Sequence, residues 1–336
     1  MLSRVADAVL WMGRYIERAE HAARVIDVNI NLLLDLGVQQ DRDAPRYWEP
    51  LIGVPAAQEQ FYRLYSRADE HTLPEFLTFN TENPNSILSA ISRARENARG
   101  VREVISSEMW EHLNRTYWLV RSATSRRLWE EGPHAFYQQI KEAAQAFQGI
   151  TDATMLRGEE WHFVQLGKYL ERADNTSRLL DIKLHMLLPQ AGEPAESIEA
   201  VQWMAVLRSC SAYEAYRRHQ LAPLDAWNVS EFLVFSDLFP RSIRFSVGQA
   251  ATALDAIGGD GTTAARQAQR VMGRLRSSLD FGSVEDLRAD GIHDYLDQLQ
   301  IRLNRVGEEL HAAYFLFEPF LVHGLQGAAQ QQAQEQ

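Results

Sequence analysis

Two stretches of this 336-residue chain carry nearly the same ionisable side chains at the same helical spacing. From GRYIERAEHAARVIDV (residues 13–28) onward, Glu17, Glu20, Arg24, Asp27 and Asn31 follow Gly13 at steps of three and four residues, so they share one helix face. From GKYLERADNTSRLLDI (residues 167–182), Gly167, Glu171, Asp174, Arg178, Asp181 and His185 stand in the same places, and Arg18 and Arg172 directly follow the glutamates. These steps allow Glu20 to pair with Arg24 and Arg24 with Asp27. Such a strip suits a structural ion-pair network, a cleft for a ligand or partner, or a solvated flank. It also suits acid/base work by Glu17 or Glu171, where burial raises a carboxyl pKa. The far side is apolar again, with Val25, Val28 and Leu32 matched by Leu179, Ile182 and Met186. Burial at an internal interface is therefore expected over full exposure. Buried charges must then be paired or face a wet cavity. A di-metal site would want Glu-x-x-His on two helices. Glu159 and His162 offer it, but their first-half counterparts Val5 and Ala8 do not, and the arginines would compete with a cation, so neither metal nor other cofactor is expected.

The elements that position these groups read as helices. Val9, Met12, Ile16, Ala19, Ala23, Ile26, Ile30 and Leu33 alternate steps of three and four, as do Phe163, Leu166, Leu170, Ala173, Ser177, Leu180, Leu184 and Leu187. Leu296, Leu299, Leu303, Val306, Leu310, Ala313 and Phe317 continue the pattern, and no sustained strand-like alternation occurs. Phe136, Ile140, Ala143 and Phe147 mark a further helix, which Gly149 is expected to end. The fold class is all-α.

The likeness between the halves extends beyond the motif. Met1-Leu2 matches Met155-Leu156, EFLTFNTENPNSI (residues 75–87) matches EFLVFSDLFPRSI (residues 231–243), and the Gly132–Phe136 run resembles Gly291–Tyr295. The chain thus reads as a helical bundle of two tandem-duplicated halves with pseudo-two-fold symmetry. The first spans 1–153, the second spans 154–324 packed on it, and a tail at 325–336 is expected to be disordered. Pro84 and Pro240 are expected in first helical turns. Segments 37–50 and 189–197 read as equivalent polar connectors.

The net charge of −11 argues against a nucleic-acid partner. No run is long and apolar enough for a membrane span, and the early Asp7 and Arg14 leave no secretory segment, so a cytoplasmic location is expected. The single cysteine, Cys210, sits in an apolar run and reads as a core residue. Trp110, Trp118 and Trp129 read as core anchors, and His134 and His293 as cap or packing residues. SRARENARGVRE (residues 92–103) is rich in arginine, whereas GQAATALDAIGG (residues 248–259) is almost uncharged. Arg95 and Arg99 share a face and could clamp an anion, or pair with neighbouring acids. Phosphate-loop, Gly-x-Ser-x-Gly and His-Glu-x-x-His motifs are absent.

MLSRVADAVLWMGRYIERAEHAARVIDV, its echo LGKYLERADNTSRLLDI and the segment SRARENARGVRE together resemble the bacterial alpha-E domain family, over nearly the whole chain. The signature acids and arginines fall on Glu17, Arg18, Glu20 and Arg24, and on Glu171, Arg172, Asp174 and Arg178. The resemblance implies an all-helical protein with no settled activity, encoded beside ATP-grasp amide-ligase-like and transglutaminase-like proteins. Those proteins become the expected partners, with a peptide as a possible ligand. The implied role is accessory or binding, in a system that modifies peptides or amide bonds, with the duplicated Glu/Arg face as the site. Two other readings stay open. One is an enzyme of that pathway with Glu17 or Glu171 as acid/base and Arg95/Arg99 as anion clamp. The other is a structural dimerisation module, since a homo-oligomer is compatible with the helical stripes.

Overall fold

The computed structural model describes residues 2–36, 44–53, 57–187, 195–219, 222–258 and 262–315, and among them every regular element is a helix. The first half holds α1 (Ser3–Leu36), α2 (Ala44–Gly53), α3 (Gln58–Leu64), α4 (Thr72–Thr78), α5 (Ile87–Gly100), α6 (Ser107–Ser122), α7 (Ser125–Glu131) and α8 (Pro133–Thr154). The second holds α9 (Glu159–Leu187), α10 (Ala195–Ser209), α11 (Tyr213–His219), α12 (Ala226–Phe235), α13 (Ile243–Ile257), α14 (Thr263–Asp280), α15 (Val284–Asp290) and α16 (Ile292–Tyr314).

The expected stripes bury. Val9, Met12, Ala19, Ala23 and Ile26 on α1, and Leu166, Ala173, Ser177 and Leu180 on α9, lose essentially all contact with solvent. In the first half α1 packs on α5 and α8, and α6 closes the bundle. In the second, α9 packs on α13 and α16, and α14 closes it. Each half is thus a four-helix bundle built around one long motif-bearing helix. The widest helix–helix contact joins α1 to α9, and the short helices cross over, with α10 lying on α1 and α2 on α9.

Glycine sets how closely α1 and α9 approach. A methyl group at Gly13 would meet the Val164 carbonyl oxygen at 2.5 Å, and one at Gly167 would collide with the Leu10 carbonyl oxygen. The two contacts are reciprocal, each glycine lying against the backbone three residues before its counterpart. Both obstacles are backbone atoms, which cannot rotate away.

Several local expectations are corrected. The Pro84 and Pro240 turns precede their helices: Ser86 and Ser242 are the N-caps, accepting hydrogen bonds from the Ser89 and Phe245 amides. Gly149 does not end its helix. The buried side continues through Phe147 to Thr151, and Gly149 sits on the exposed face where it costs little. Residues 44–50 and 195–197, read as connectors, lie in α2 and α10. Trp48, Leu51 and Ile52 bury there at helical spacing, as do Trp203, Val206 and Leu207. The tail, Phe317 and the remainder of both connectors lie outside the described residues. Trp118 is exposed, whereas Trp110 packs on the core's edge. Cys210 is buried as expected, and burial pushes its thiol up to about 12. No helix among the described residues is long and apolar enough to cross a membrane.

Gly13→Ala or Gly167→Ala should force α1 and α9 apart. We expect either to lower unfolding free energy by about 3 kcal/mol, the upper range for overpacking, as measured by urea denaturation. A similar change at Gly149 should have no comparable effect.

Candidate functional site

The seam between α1 and α9 holds the duplicated charges. Contacts run from Leu10 against Gly167 to Arg18 against Glu171, so the two helices lie side by side in the same direction. That register brings each Glu-Arg dipeptide against the other. Arg18 grips Glu171 through Nε at 2.6 Å and Nη2 at 3.2 Å. Arg172 grips Glu17 through Nε at 2.7 Å and Nη2 at 2.8 Å. Both glutamates are almost fully buried. Two-point Arg–carboxylate pairing supplies the charge compensation such burial demands.

Each glutamate takes a second guanidinium, from a different source. Glu171 accepts from Arg14 Nε at 2.7 Å. The equivalent position on α9 is Lys168, whose ammonium lies over the Tyr169 ring. Glu17 is served instead by Arg241, which also bonds Glu20. In the matched first-half segment Asn85 stands in place of Arg241, and it accepts from Arg18 Nη1 at 2.8 Å. Glu20 and Arg24 pair along α1 at 2.6 Å, and Asp174 and Arg178 pair along α9 at 2.9 Å. Arg24 does not meet Asp27. That carboxylate is held by Lys141 at 2.7 Å and His134 at 2.8 Å. Its counterpart Asp181 is bound by His293 at 2.5 Å.

The electrostatics follow from these partners. Burial pushes the Glu171 carboxyl up, but the charges and hydrogen bonds of Arg18 and Arg14 bring it down to about 2. Glu17 resists burial in the same way. Arg172, Arg241 and Lys168 hold it well below the ordinary carboxylate range. Burial and then the Arg172 charge push Lys168 down to about 8. Burial, reinforced by Arg241, depresses His21 to about 4, so its imidazole is neutral at physiological pH.

On one face of the seam the charges open into a cavity of about 260 Å³. Arg14, Arg18, His21, Asn85, Glu171, Asp174, Asn175, Arg178 and Asn304 supply its polar wall, and Ala22, Val25, Leu51 and Leu77 its apolar wall. His21 and Asn175 occupy equivalent positions on the two motif helices, and both are more than nine-tenths buried. His21 Nε2, Asn175 Nδ2 and Asp174 Oδ1 have no hydrogen-bond partner among the described residues. On the other face, Arg241 bridges Glu17 and Glu20 where Asn85 stands at the cavity. The shorter amide leaves room that the long guanidinium fills.

The sequence-expected site therefore separates into parts. Glu17, Glu20, Arg24 and Arg172 form a closed network. Arg18, Glu171, Asp174 and Arg178 line the cavity, and Asp27 and Asp181 anchor the first turns of α8 and α16. Arg95 and Arg99 are not brought to the strip. Arg95 lies between the Trp110 and Tyr117 rings and donates to Asn114 on α6, and Arg99 pairs with Glu96 in solvent. Sequence reasoning missed Arg14, Lys141, Arg241, His21 and Asn175. Arg241 was visible only as the mismatch to Asn85 inside matched segments. The two histidines read as caps turn out to be carboxylate partners.

A family model described as "a predicted alpha-helical domain with a conserved ER motif" matches residues 1–315. The chain belongs to this family, Alpha-E. The reciprocal pairs give that motif a physical role here, because each Glu is neutralised by the Arg of the other copy. The Alpha-E chain is 26% identical over 317 residues to uncharacterized proteins of Mycobacterium bovis and Mycobacterium tuberculosis. The match covers 88% of this chain and 34% of those proteins, so the chain spans about a third of the length of the curated relatives it matches. No solved structure matches.

Two measurements test the electrostatics. Glu17→Gln takes the carboxylate partner from Arg172 and leaves Arg241 with Glu20 alone, and should cost about 3–5 kcal/mol of unfolding free energy, read by chemical denaturation. The pH dependence follows from the depressed folded-state values of His21 and Glu171. Each contributes stability that is complete above its unfolded value and fades as pH falls through the folded one. Stability should drop first between about pH 6.5 and 4 through His21, then between about 4.5 and 2 through Glu171. His21→Gln should flatten the first slope to what His162, also lowered by burial, contributes, and leave the second; an unchanged first slope would assign it elsewhere.

Proposed function

We propose that this Alpha-E protein is a non-catalytic helical binding protein that presents the cavity at the Glu-Arg seam to a peptide or partner. Its setting is a cytoplasmic ATP-grasp- and transglutaminase-linked system that modifies peptides or amide bonds. One observation carries the binding reading: His21, Asn175 and Asp174 belong to the cavity wall, and each keeps a buried polar atom without a partner among the described residues. Leaving such atoms unbonded costs about 1–3 kcal/mol each, a cost that a polar molecule in the cavity relieves once these side chains turn toward it.

The catalytic alternative finds less support. A general acid or base works best when its pKa lies near the operating pH. Glu171 at about 2 has no proton to donate at neutral pH and is a weak base, and Glu17 is likewise held well below the ordinary carboxylate range. Arg95 and Arg99 stand away from both glutamates, so the anion clamp and the acid/base pair do not share a site. The setting itself rests on the family resemblance. The relatives' greater length is compatible with a domain that works beside others.

The test is co-elution of the purified chain with the ATP-grasp-type ligase and the transglutaminase-like protein of the same genome, with and without Asn175→Leu. We expect one of these proteins to co-elute, and the cavity-filling variant to weaken the association about tenfold or more, as a hot-spot substitution does. Arg99→Ala should leave it intact. Absence of co-elution with both proteins, or indifference to Asn175→Leu in a folded variant, would sink the proposal.

A further inference from the structure

The cavity's chemistry narrows what it takes, given the reading that it is a ligand site. Three arginines face it, Arg14, Arg18 and Arg178, against two carboxylates, Glu171 and Asp174. Arg18 spends all three guanidinium nitrogens, on Glu171 and Asn85. Arg14 and Arg178 each spend only Nε, on Glu171 and Asp174. Their terminal nitrogens have no hydrogen-bond partner among the described residues, and both side chains stay partly open to solvent at 21% and 25%. The wall therefore holds one uncompensated positive charge and two forks of free donors. One carboxylate matches that excess, whereas a doubly charged phosphate overshoots it.

The remaining polar atoms fit an amide. Asn175 Nδ2 is an unpartnered donor and Asp174 Oδ1 an unpartnered acceptor, on adjacent residues of α9. A peptide group offers the complement of both, a carbonyl oxygen and an N–H. The His21 imidazole, neutral at physiological pH, adds a further site without adding charge. Ala22, Val25, Leu51 and Leu77 give a small apolar wall for an aliphatic portion. Such a lining, apolar with a few convergent polar groups, is typical of small-molecule sites.

We propose that the seam cavity binds a short peptide through one carboxylate, held by Arg14 and Arg178, with an adjacent peptide group held by Asn175 and Asp174. The carboxylate comes from either an acidic side chain or a free C-terminus, and the two share the same recognition.

Isothermal titration calorimetry of the full chain decides it with three probes. These are acetyl-Ala-Glu-Ala amide, acetyl-Ala-Ala-Ala with a free carboxylate, and acetyl-Ala-Ala-Ala amide as the neutral control. The expected result is binding of at least one carboxylate probe, with the neutral amide weaker by about tenfold or more. Which carboxylate probe binds identifies the source. Arg178→Gln, which touches neither Glu-Arg pair, should weaken that binding about tenfold with circular dichroism unchanged. Arg14→Gln should act likewise, and because it also removes one partner of Glu171, its melting temperature is measured in parallel. Equal binding of the neutral amide, insensitivity to Arg178→Gln, or no binding of either carboxylate probe overturns the proposal. If the probes fail while Asn175→Leu still breaks partner co-elution, the ligand class is wrong and the binding site stands. If both fail, the site reading falls with it.

Discussion

The structure depends on two glutamates that cannot be buried alone. Glu17 and Glu171 lie buried in the widest helix contact among the described residues, where an uncompensated carboxylate is costly. Neither is neutralised by the arginine next to it in sequence. Each is gripped at two points by the arginine of the opposite motif, across an interface that Gly13 and Gly167 bring to backbone contact. The glycines, the paired dipeptides and the side-by-side course of α1 and α9 form one arrangement, because a shift of either helix would break the two pairs together.

Around that near-symmetric centre the two faces differ by a few substitutions. Arg14 and Lys168 stand in matching places, as do Asn85 and Arg241, and His21 and Asn175. Each glutamate ends with two guanidinium partners, yet Arg241 closes one face while Asn85 stands at the open one. The symmetric part settles charge, and the asymmetric part makes space. Glu17 and Glu171 are committed to their arginines, whereas His21, Asp174 and Asn175 beside the cavity each keep unfilled hydrogen-bonding capacity.

Much of the architecture was legible in the sequence, because helix periodicity is local and the apolar steps of three and four run through both long helices, with Ser177 as the one polar residue in the second stripe. Burial of the charged strip could also be read, from Val25 and Leu32 returning apolar beyond it. Which charges would meet was not legible. Spacing along one helix suggested Arg24 with Asp27, whereas Asp27 is taken by Lys141 and His134, more than a hundred residues away in sequence. Pairing between helices depends on their register, and no single helix encodes that. The arginine-rich segment attracted notice by composition, yet Arg95 is absorbed by Trp110, Tyr117 and Asn114 on α6. A single mismatch, Asn85 against Arg241, carried more about the cavity than that whole cluster did.

The reciprocity of the Glu-Arg pairs also bears on the order in which the molecule is made. Synthesis delivers α1 long before α9, so Glu17 is made well before both of its arginine partners, and Glu20 with only Arg24 beside it. Arg172 and Arg241 arrive only with the second half. The two bundles are separate in topology but not in completion. The unit in which these ion pairs are complete is the joined pair of halves.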